Sequence, residues 1–320
     1  MLPHAVRRFV VRRLGIDALR TQHAALLAEM HAQQARSDQL AHATADAAAQ
    51  LAALRAQLAE AQAATAELRS SESVAWGTVW SHWHPAPADA LVSVVLPTRN
   101  RAHLLQHAIA SVLQQSHAHL ELIVVDDGST DDTAIALKAV DDPRLVVLDG
   151  GGNGAAAARN LALQHAHGSV IAFADDDNLM APGWLAAAAG HLHEHPQVGG
   201  VYGAQLREPE TGGHPTLLYR APFDREAMLL GPYVDLGATV FRAGTEGLHF
   251  DTTLTALLDW DMLIRVTATS TLEAIPVLAG LYTTSAPGRI TDRPDKAAAL
   301  ATVRERAAAA FSSPSPARRH

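Results

Sequence analysis

Apolar residues in the first part of the chain recur at alternating spacings of three and four residues. The spacing runs from Ile16 to Leu68, and neither Gly nor Pro interrupts this stretch. The residues between the stripe positions are mainly good helix formers. Such a period predicts a left-handed coiled coil, and so narrow a stripe needs at least one further copy of the chain to cover it. The alternative is a single Ala-rich helix that lies on the rest of the protein.

From Leu91 onward the pattern changes to short apolar runs, each followed by polar residues and then by helical spacing. Four runs have the length and β-branched content of buried strands. They are residues 92–96, 120–125, 145–148 and 169–174. Helical spacing covers residues 102–115, 132–140 and 155–166. The alternation predicts an α/β fold, a mostly parallel sheet with helices on both faces.

These patterns divide the chain into four segments. Residues 1–70 are the predicted helix and coiled coil, which Ser70-Ser71-Glu72-Ser73 ends. Residues 71–90 are a predicted linker with a short Trp-rich helix, closed by Pro85-Ala86-Pro87. Residues 91–311 form the predicted globular domain. Residues 312–320 are rich in Pro, Ser and Arg and are predicted to be disordered.

Composition narrows the partners of the protein. The 320 residues are 48% hydrophobic, carry a formal net charge of −8 and include no cysteine. The negative charge argues against nucleic acid, and the lack of cysteine excludes disulfides and thiolate chemistry. No apolar stretch is long enough to predict a transmembrane span. We therefore expect a cytoplasmic protein. The arginines of residues 7–13 predict, as an alternative to a solvated helix start, a weak contact with the inner face of the membrane.

An acidic turn, Asp175-Asp176-Asp177-Asn178, follows the fourth predicted strand. Crowded carboxylates raise each other's pKa unless a cation joins them. Hard oxygen ligands of this kind suit Mg²⁺ or Mn²⁺. A solvated turn or a helix N-cap is the plain alternative. Because ligands bind at the carboxyl ends of parallel strands, we expect this turn to lie beside the loops that follow the other three strands.

Four stretches together resemble the ordered motifs of family 2 glycosyltransferases with the GT-A fold. They read VSVVLPTRN from Val92, ELIVVDDGST from Glu121, GAAAARNLAL from Gly154 and IAFADDDN from Ile171. The resemblance covers roughly Leu91 to Thr291 and leaves out the predicted coiled coil. It implies transfer of a sugar from a nucleoside diphosphate sugar, of UDP or GDP type, with inversion at the anomeric carbon.

The same resemblance assigns roles to individual residues. It places the nucleotide sugar at Pro97, Thr98, Arg99, Asp127, Arg159, Asp175 and Asp176. Among these, Asp127 would contact the base and Arg159 the diphosphate. Asp177 and Asp175 would hold Mn²⁺ or Mg²⁺. Asn178 stands where many members have a further Asp, so the resemblance assigns it no firm role.

The resemblance also points to a catalytic base. Asp259 takes the position of the Asp in the Glu-Asp pair that opens a helix in the family, although Leu258 replaces the Glu. A helix N-cap is the plain alternative for Asp259, and Asp261 is the second candidate for the base. A second departure lies near the C-terminus, where Ser285 replaces a His that many members use toward the metal or diphosphate. Arg289 is a candidate to compensate.

The expected acceptor is a glycan, a lipid-linked sugar or a protein, in the synthesis of a surface polysaccharide. Two other functions are compatible with the sequence. A degenerate transferase domain on an oligomerising helix would act as a scaffold, and Leu258 and Ser285 favour this alternative. A nucleotidyltransferase is disfavoured, because Pro97-Thr98-Arg99-Asn100 lacks the Gly-rich phosphate loop that would follow its first strand.

Overall fold

The computed structural model describes residues 16–83, 86–87, 89–208, 215–284 and 296–311. By its internal contacts the chain divides into two compact units, Met1–Leu68 and Arg69–His320. The arginines of residues 7–13, Ser285, Arg289 and the tail from residue 312 lie outside the described residues. The predictions made for them therefore stay predictions.

Helix α1 spans Ile16–Trp83. It passes through Ser70-Ser71-Glu72-Ser73 without a break, so the helix continues beyond the residues at which the three-and-four spacing ends. Serine lowers helix propensity only modestly, and neither Gly nor Pro is present to end the helix there. Leucines of the apolar stripe are exposed along α1, for example Leu19 at 62% and Leu40 at 67%. The coiled coil remains a prediction, and no helix among the described residues is both long and apolar enough to cross a membrane.

The second unit is built on a mixed sheet. Its strands in the described residues are β1 Val92–Thr98, β2 Leu120–Asp126, β3 Leu145–Asp149, β4 Val170–Phe173, β5 Leu179–Met180, β6 Val198–Arg207, β7 Thr216–Leu218, β8 Thr239–Arg242 and β9 Thr271–Tyr282. The strand order is β3-β2-β1-β4-β8-β6-β9-β5, and β7 pairs with β6. The first four strands are parallel, as predicted. Beyond β4 the sheet is mixed, because β8 is antiparallel to both β4 and β6.

Helices follow the strands. They are α2 Ala102–Leu113, α3 Thr133–Lys138, α4 Ala155–Gln164, α5 Trp184–Glu194, α6 Arg225–Leu230, α7 Leu258–Thr269 and α8 Lys296–Phe311, with a 3₁₀ turn at Leu236–Ala238. Residues 237–242 have the composition of a strand, but strand β8 begins only at Thr239. Asp235 accepts a hydrogen bond from Gly237 N at 2.9 Å and caps the 3₁₀ turn instead.

Both faces of the sheet are covered. Val94 and Leu96 of β1 pack into one apolar cluster with residues of α2 and α5. Val95 points the other way, into a second cluster with residues of α4, α7 and α8. A strand that is buried on both faces reads as a continuous apolar run, which explains the pattern of residues 92–96.

Strand register brings the polar loops to one edge. Thr98 pairs with Asp126 across β1 and β2, and Val95 pairs with Phe173 across β1 and β4. The loops that follow β1, β2 and β4 therefore begin side by side. Because β8 is antiparallel to β4 and pairs Val240 with Ala172, the segment that precedes β8 reaches this edge too. The sheet thus collects residues that are far apart in sequence.

Candidate active site

A cavity of about 560 Å³ opens at this edge of the sheet. That volume is in the range of small-molecule sites. All the positions that the resemblance assigned within the described residues line it: Pro97, Thr98, Arg99, Asp127, Arg159, Asp175, Asp176, Asp177 and Asp259. They come from five separate segments of the chain, and the fold brings every one of them together.

The loop after β1 is held in one conformation by the loop after β2. Asn100 adopts a left-handed backbone conformation with φ 55°, which Asn tolerates better than most residues. Its side-chain oxygen accepts from Thr130 N at 2.7 Å, and its backbone N–H donates to Ser129 Oγ at 2.9 Å. These contacts make the two loops one rigid wall of the cavity.

Asp127 lies at the N-terminus of α4. Its carboxylate oxygens accept from Gly154 N at 3.1 and 3.0 Å. Gly154 has φ 92°, a conformation that other residues rarely adopt. Arg99 Nη1 lies 3.9 Å from Asp127 Oδ2. A carboxylate held in place by the backbone N–H at a helix N-terminus has further lone pairs, which suits an acceptor for a base N–H.

Each carboxylate of the acidic turn contacts a partner from another segment. Arg159 Nη2 donates to Asp175 Oδ1 at 2.7 Å, and Thr98 Oγ1 donates to Asp176 Oδ2 at 2.8 Å. Arg101 Nη1 donates to Asp177 Oδ2 at 3.2 Å. Neither the hydroxyl nor the two guanidiniums belong to the turn itself. The turn is therefore a junction between β1, α2, α4 and β4.

Electrostatics reflect the crowding of these carboxylates. Burial raises the pKa of Asp176 to about 6, and the charges of Asp177 and Asp175 add to the rise. The Thr98 hydroxyl and the Arg101 guanidinium act in the opposite direction. A further positive charge nearby would strongly stabilise the ionised form of a carboxyl group with this pKa.

Asn178 has a structural role that the sequence did not reveal. Its side-chain oxygen accepts from Thr283 N at 2.9 Å, which ties the acidic turn to the segment after β9. An Asp at this position would add a seventh carboxylate to a cavity that already holds six, those of Asp127, Asp175, Asp176, Asp177, Asp235 and Asp259. The amide makes the same link without the charge.

Arg159 is the main cation on the α4 side of the cavity. The residue is only 7% exposed, and its guanidinium lies 5.5 Å above the Phe250 ring. Asn160 fixes that ring through two hydrogen bonds with the Phe250 backbone. Among the described residues, Arg159 Nε has no hydrogen-bond partner. A buried N–H of this kind fits an anionic ligand such as a diphosphate.

Asp259 lies in the first turn of α7. The residue that precedes the helix, Leu257, has φ 59°, a conformation that costs an L-residue about 1–2 kcal/mol. Burial raises the pKa of Asp259, and the charge of Asp175 adds to the rise, whereas the Trp260 N–H and Arg159 oppose it. A raised pKa suits a carboxylate that must accept a proton.

The surroundings of Asp261, the second candidate for the base, argue against that role. Its side chain is 0% exposed and pairs with Arg265 at 2.9 Å and Arg306 at 2.6 Å. It does not belong to the residues that line the cavity. The side chains of residues two positions apart on a helix point in directions about 200° apart. Asp259 therefore faces the cavity and Asp261 faces the interior.

Asp235 belongs to the site, although no sequence motif identified it. Its Oδ1 accepts from Gln205 Nε2 at 3.1 Å. Burial raises its pKa to about 7, and the charges of Asp175 and Asp259 contribute. The only available signal was the N-cap pattern before Leu236-Gly237-Ala238, which indicates a turn but not an active site.

The far wall of the cavity combines arginine with tyrosine. Arg220 lies 5.0 Å from the centre of the Tyr233 ring, and Arg207 lies 5.7 Å from that of Tyr282. Tyr202 packs edge-on against Tyr233. Both Arg–Tyr pairs line the cavity. Aromatic and guanidinium groups of this kind suit a ligand with apolar sugar faces and anionic groups.

The predicted metal ligands are Asp175 and Asp177. No group of three or more His, Asp or Glu side chains in the described residues is arranged to hold a metal ion. Asp177 and Asp175 contact arginines instead. However, Mg²⁺ is commonly held by one or two carboxylates together with substrate phosphates. The two carboxylates beside Arg159 therefore fit a divalent ion that arrives with a phosphate-bearing ligand.

Comparison with known proteins identifies the domain. A family model described as Glycosyl transferase family 2 matches residues 93–246, just under half of the chain. The chain therefore carries a glycosyltransferase family 2 domain, and the resemblance drawn from its motifs is confirmed.

Two relatives from Escherichia coli illustrate the extent of the similarity. The chain is 41% identical over 99 residues to WfgD, named UDP-Glc:alpha-D-GlcNAc-diphosphoundecaprenol beta-1,3-glucosyltransferase. That match covers 31% of this chain and 38% of WfgD. The chain is 32% identical over 187 residues to the putative colanic acid biosynthesis glycosyl transferase WcaA of strain K12, covering 55% of this chain and 66% of WcaA. The chain thus spans less than two fifths of the first of these relatives.

The fold has a solved counterpart. The crystal structure of S. aureus TarS 1-349 in complex with UDP-GlcNAc superposes with a TM-score of 0.57 and 19% sequence identity. The match covers 67% of this chain and 66% of TarS 1-349. This likeness confirms the predicted GT-A fold and carries no further weight for the reaction.

Proposed function

We propose that the protein is an inverting glycosyltransferase that moves a sugar from a nucleoside diphosphate sugar to an acceptor hydroxyl. One observation carries the proposal: Asp259, a carboxylate of raised pKa, shares a cavity with Arg159, a buried arginine whose Nε lacks a partner among the described residues. A proton acceptor and an anion site are the two elements that such a transfer needs.

The donor nucleotide would lie along the carboxyl ends of β1, β2 and β4. Asp127 is suited to accept a hydrogen bond from a base N–H. The loop of Pro97, Thr98 and Arg99 forms the wall beside it. Arg159 would bind the diphosphate, and Asp175, already ion-paired with Arg159, would contact the ribose or the metal. Asp176 contributes by holding the turn through Thr98.

The reaction would be a single displacement at the anomeric carbon. Asp259 takes the proton of the acceptor hydroxyl as its oxygen forms the new bond to that carbon. The bond from the carbon to the diphosphate oxygen breaks on the opposite side, and the nucleoside diphosphate leaves with the electron pair. Attack opposite the leaving group inverts the configuration. Arg159 stabilises the charge that develops on the leaving phosphate.

Asp177, with Asp175, would hold a Mn²⁺ or Mg²⁺ ion. When bound, such an ion supplies positive charge against the leaving diphosphate. Hard carboxylate ligands suit both ions equally, so the donor set does not choose between them.

A surface polysaccharide is the proposed product. WfgD is named for transfer to a diphosphoundecaprenol-linked sugar, and WcaA for colanic acid biosynthesis. The Arg and Tyr side chains of the far wall support an acceptor sugar with an anionic group nearby. We place the reaction on the cytoplasmic side of a membrane, where a lipid-linked acceptor would be reached.

A parallel coiled coil of α1 is the proposed basis of a homodimer. The leucines of the stripe are exposed along the helix of a single chain. An amphipathic stripe of this length gains stability only when a second helix covers it.

Calorimetry with UDP and GDP, each with and without Mn²⁺, tests the donor site. Binding in the micromolar range supports a transferase. Failure to bind either nucleotide at millimolar concentration would instead favour a scaffold with a degenerate domain.

Asp177→Ala should abolish the Mn²⁺-dependent part of nucleotide binding and of sugar release, and an undiminished Mn²⁺ effect in this variant would refute the metal assignment. Lys138→Ala, on α3 and outside the residues that line the cavity, is the control.

A further inference from the structure

Arg101 occupies an unusual place beside the acidic turn. Its Nη1 lies 3.2 Å from Asp177 Oδ2 and 4.0 Å from Asp176 Oδ1. The Arg101 side chain is only 12% exposed, as is that of Asp177. An ion pair that is this well shielded from solvent interacts more strongly than a surface pair. No sequence motif assigned a role to Arg101.

The position of Arg101 is determined by its backbone. It is the residue before α2, where the backbone leaves Asn100 in its left-handed conformation. Asn100 is fixed to Ser129 and Thr130, and the next backbone N–H, of Ala102, donates to Asp131 Oδ2 at 3.1 Å. The loop is therefore anchored on both sides of Arg101. This anchored loop holds the Arg101 guanidinium beside the acidic turn.

Two cations compete for the same oxygens. A divalent ion at Asp177 needs a lone pair of the carboxylate, and the Arg101 guanidinium already uses Oδ2. A positive charge at about 3 Å from that oxygen also repels an arriving ion. Because of this repulsion, we expect the ion pair to open when Asp177 binds a metal.

We propose that Arg101 is a positioning residue that neutralises the acidic turn in the absence of metal, and that a divalent ion displaces it from Asp177 toward the diphosphate. The inference rests on the proposed function. Arg101 lines the cavity together with Arg159, so the displaced guanidinium stays within the site. Guanidinium groups bind phosphate oxygens through paired N–H donors.

This exchange couples the metal to the nucleotide. Without a diphosphate, the metal gains Asp177, but Arg101 loses its closer anion and keeps only the longer contact, 4.0 Å, with Asp176. With a diphosphate present, both cations find partners. We therefore expect weak binding of the metal alone and much tighter binding of the metal with a nucleoside diphosphate.

Titration with Mn²⁺, followed by the electron paramagnetic resonance signal of the free ion, tests the exchange without any turnover. Arg101→Ala should bind Mn²⁺ alone about tenfold more tightly than the wild type, because no ion pair has to open. In the presence of Mn²⁺ the same variant should bind UDP about tenfold more weakly. Arg101→Lys keeps the charge and should restore the wild-type Mn²⁺ affinity, but only part of the UDP affinity. Arg304→Ala, which removes an exposed positive charge on α8, is the matched control.

The outcomes separate the two proposals. Equal Mn²⁺ affinity in the wild type and Arg101→Ala, with UDP binding retained, would overturn the role of Arg101 and leave the transferase function intact. Weaker Mn²⁺ binding in Arg101→Ala than in the control would also overturn it. Absence of both Mn²⁺ and UDP binding in the wild type would overturn the proposed function, and this inference with it. Circular dichroism melts check that each variant is folded.

Discussion

Replacing Asp259 and Asp261 by asparagine, one at a time, should separate the chemistry of the site from the stability of the fold. The two residues lie in the same turn of α7 and carry the same charge. Asp259 lines the cavity, whereas Asp261 is completely buried among arginines. We expect Asp259→Asn to lose turnover with its fold intact, and Asp261→Asn to lose stability.

The size of the stability loss follows from the ion pairs of Asp261. Removing one partner of a buried pair typically costs about 3–5 kcal/mol. Here Arg306 is 37% exposed and Arg265 is 23% exposed. Each also keeps another partner, Asp251 for Arg306 and the Gly247 carbonyl for Arg265. Solvent and these partners should reduce the loss in Asp261→Asn to about 2 kcal/mol.

Asp259→Asn should behave in the opposite way. Burial raises the pKa of Asp259. A carboxyl whose pKa is raised in the folded state favours folding less as pH rises through that pKa, because the ionised form is disfavoured there. Asparagine has no charge to bury, so at pH 8 the variant should be at least as stable as the wild type. Turnover should fall by about 10²–10⁴-fold, the usual contribution of a general base.

Two measurements check this contrast. Urea unfolding followed by tryptophan fluorescence gives the free energy of unfolding, with Trp260 next to both sites. Release of nucleoside diphosphate from the donor found by calorimetry gives the turnover. The reasoning fails if Asp259→Asn keeps more than about a tenth of the turnover. It fails equally if Asp261→Asn is as stable as the wild type and inactive, since Asp261 would then be the base.

Two further predictions concern Asp235 and α1. Because the pKa of Asp235 is raised to about 7 from an ordinary 3.8, the wild type should lose stability relative to Asp235→Asn as pH rises from about 4 to about 8. Urea unfolding should find the variant about 4 kcal/mol more stable at pH 8 and equal near pH 4, and a constant difference would refute the buried charge. Removing residues 1–70 should leave the second unit folded but lower the oligomeric state by light scattering, and an unchanged oligomer would rule out the coiled coil.

Sequence reasoning reached most of the site because of one topological rule. In parallel strands the carboxyl ends lie at one edge, so Thr98, Asp127 and Asp175 had to converge once their strands were recognised. The strands themselves were readable because burial on both faces makes each a continuous apolar run. The end of the three-and-four spacing at Ser70–Ser73 did not mark the end of α1, which continues to Trp83. Three serines and a glutamate do not end a helix when neither Gly nor Pro stands among them.

The contacts between residues that are far apart in the chain could not be predicted from the sequence, for a related reason. Asp235 reaches the acidic turn because β8 runs antiparallel to β4, and strand direction is not encoded in any local motif. Asn178 links the turn to Thr283, a contact across 105 positions of the chain. Such pairings depend on which strands become neighbours, and the sheet order decides this only when the whole domain is formed.

By itself, then, the sequence determined the alternation of strands and helices, the family of the domain and the residue types at the strand ends. Only the tertiary structure decided which carboxylate faces the cavity and which faces the interior. Asp259 and Asp261 were the first and second candidates for the base, two positions apart in one motif, and the helical rotation and the position of Arg306 on α8 give them different surroundings. The same holds for the acidic turn, whose charges meet Arg101 and Arg159 only after β1, α4 and β4 have packed together.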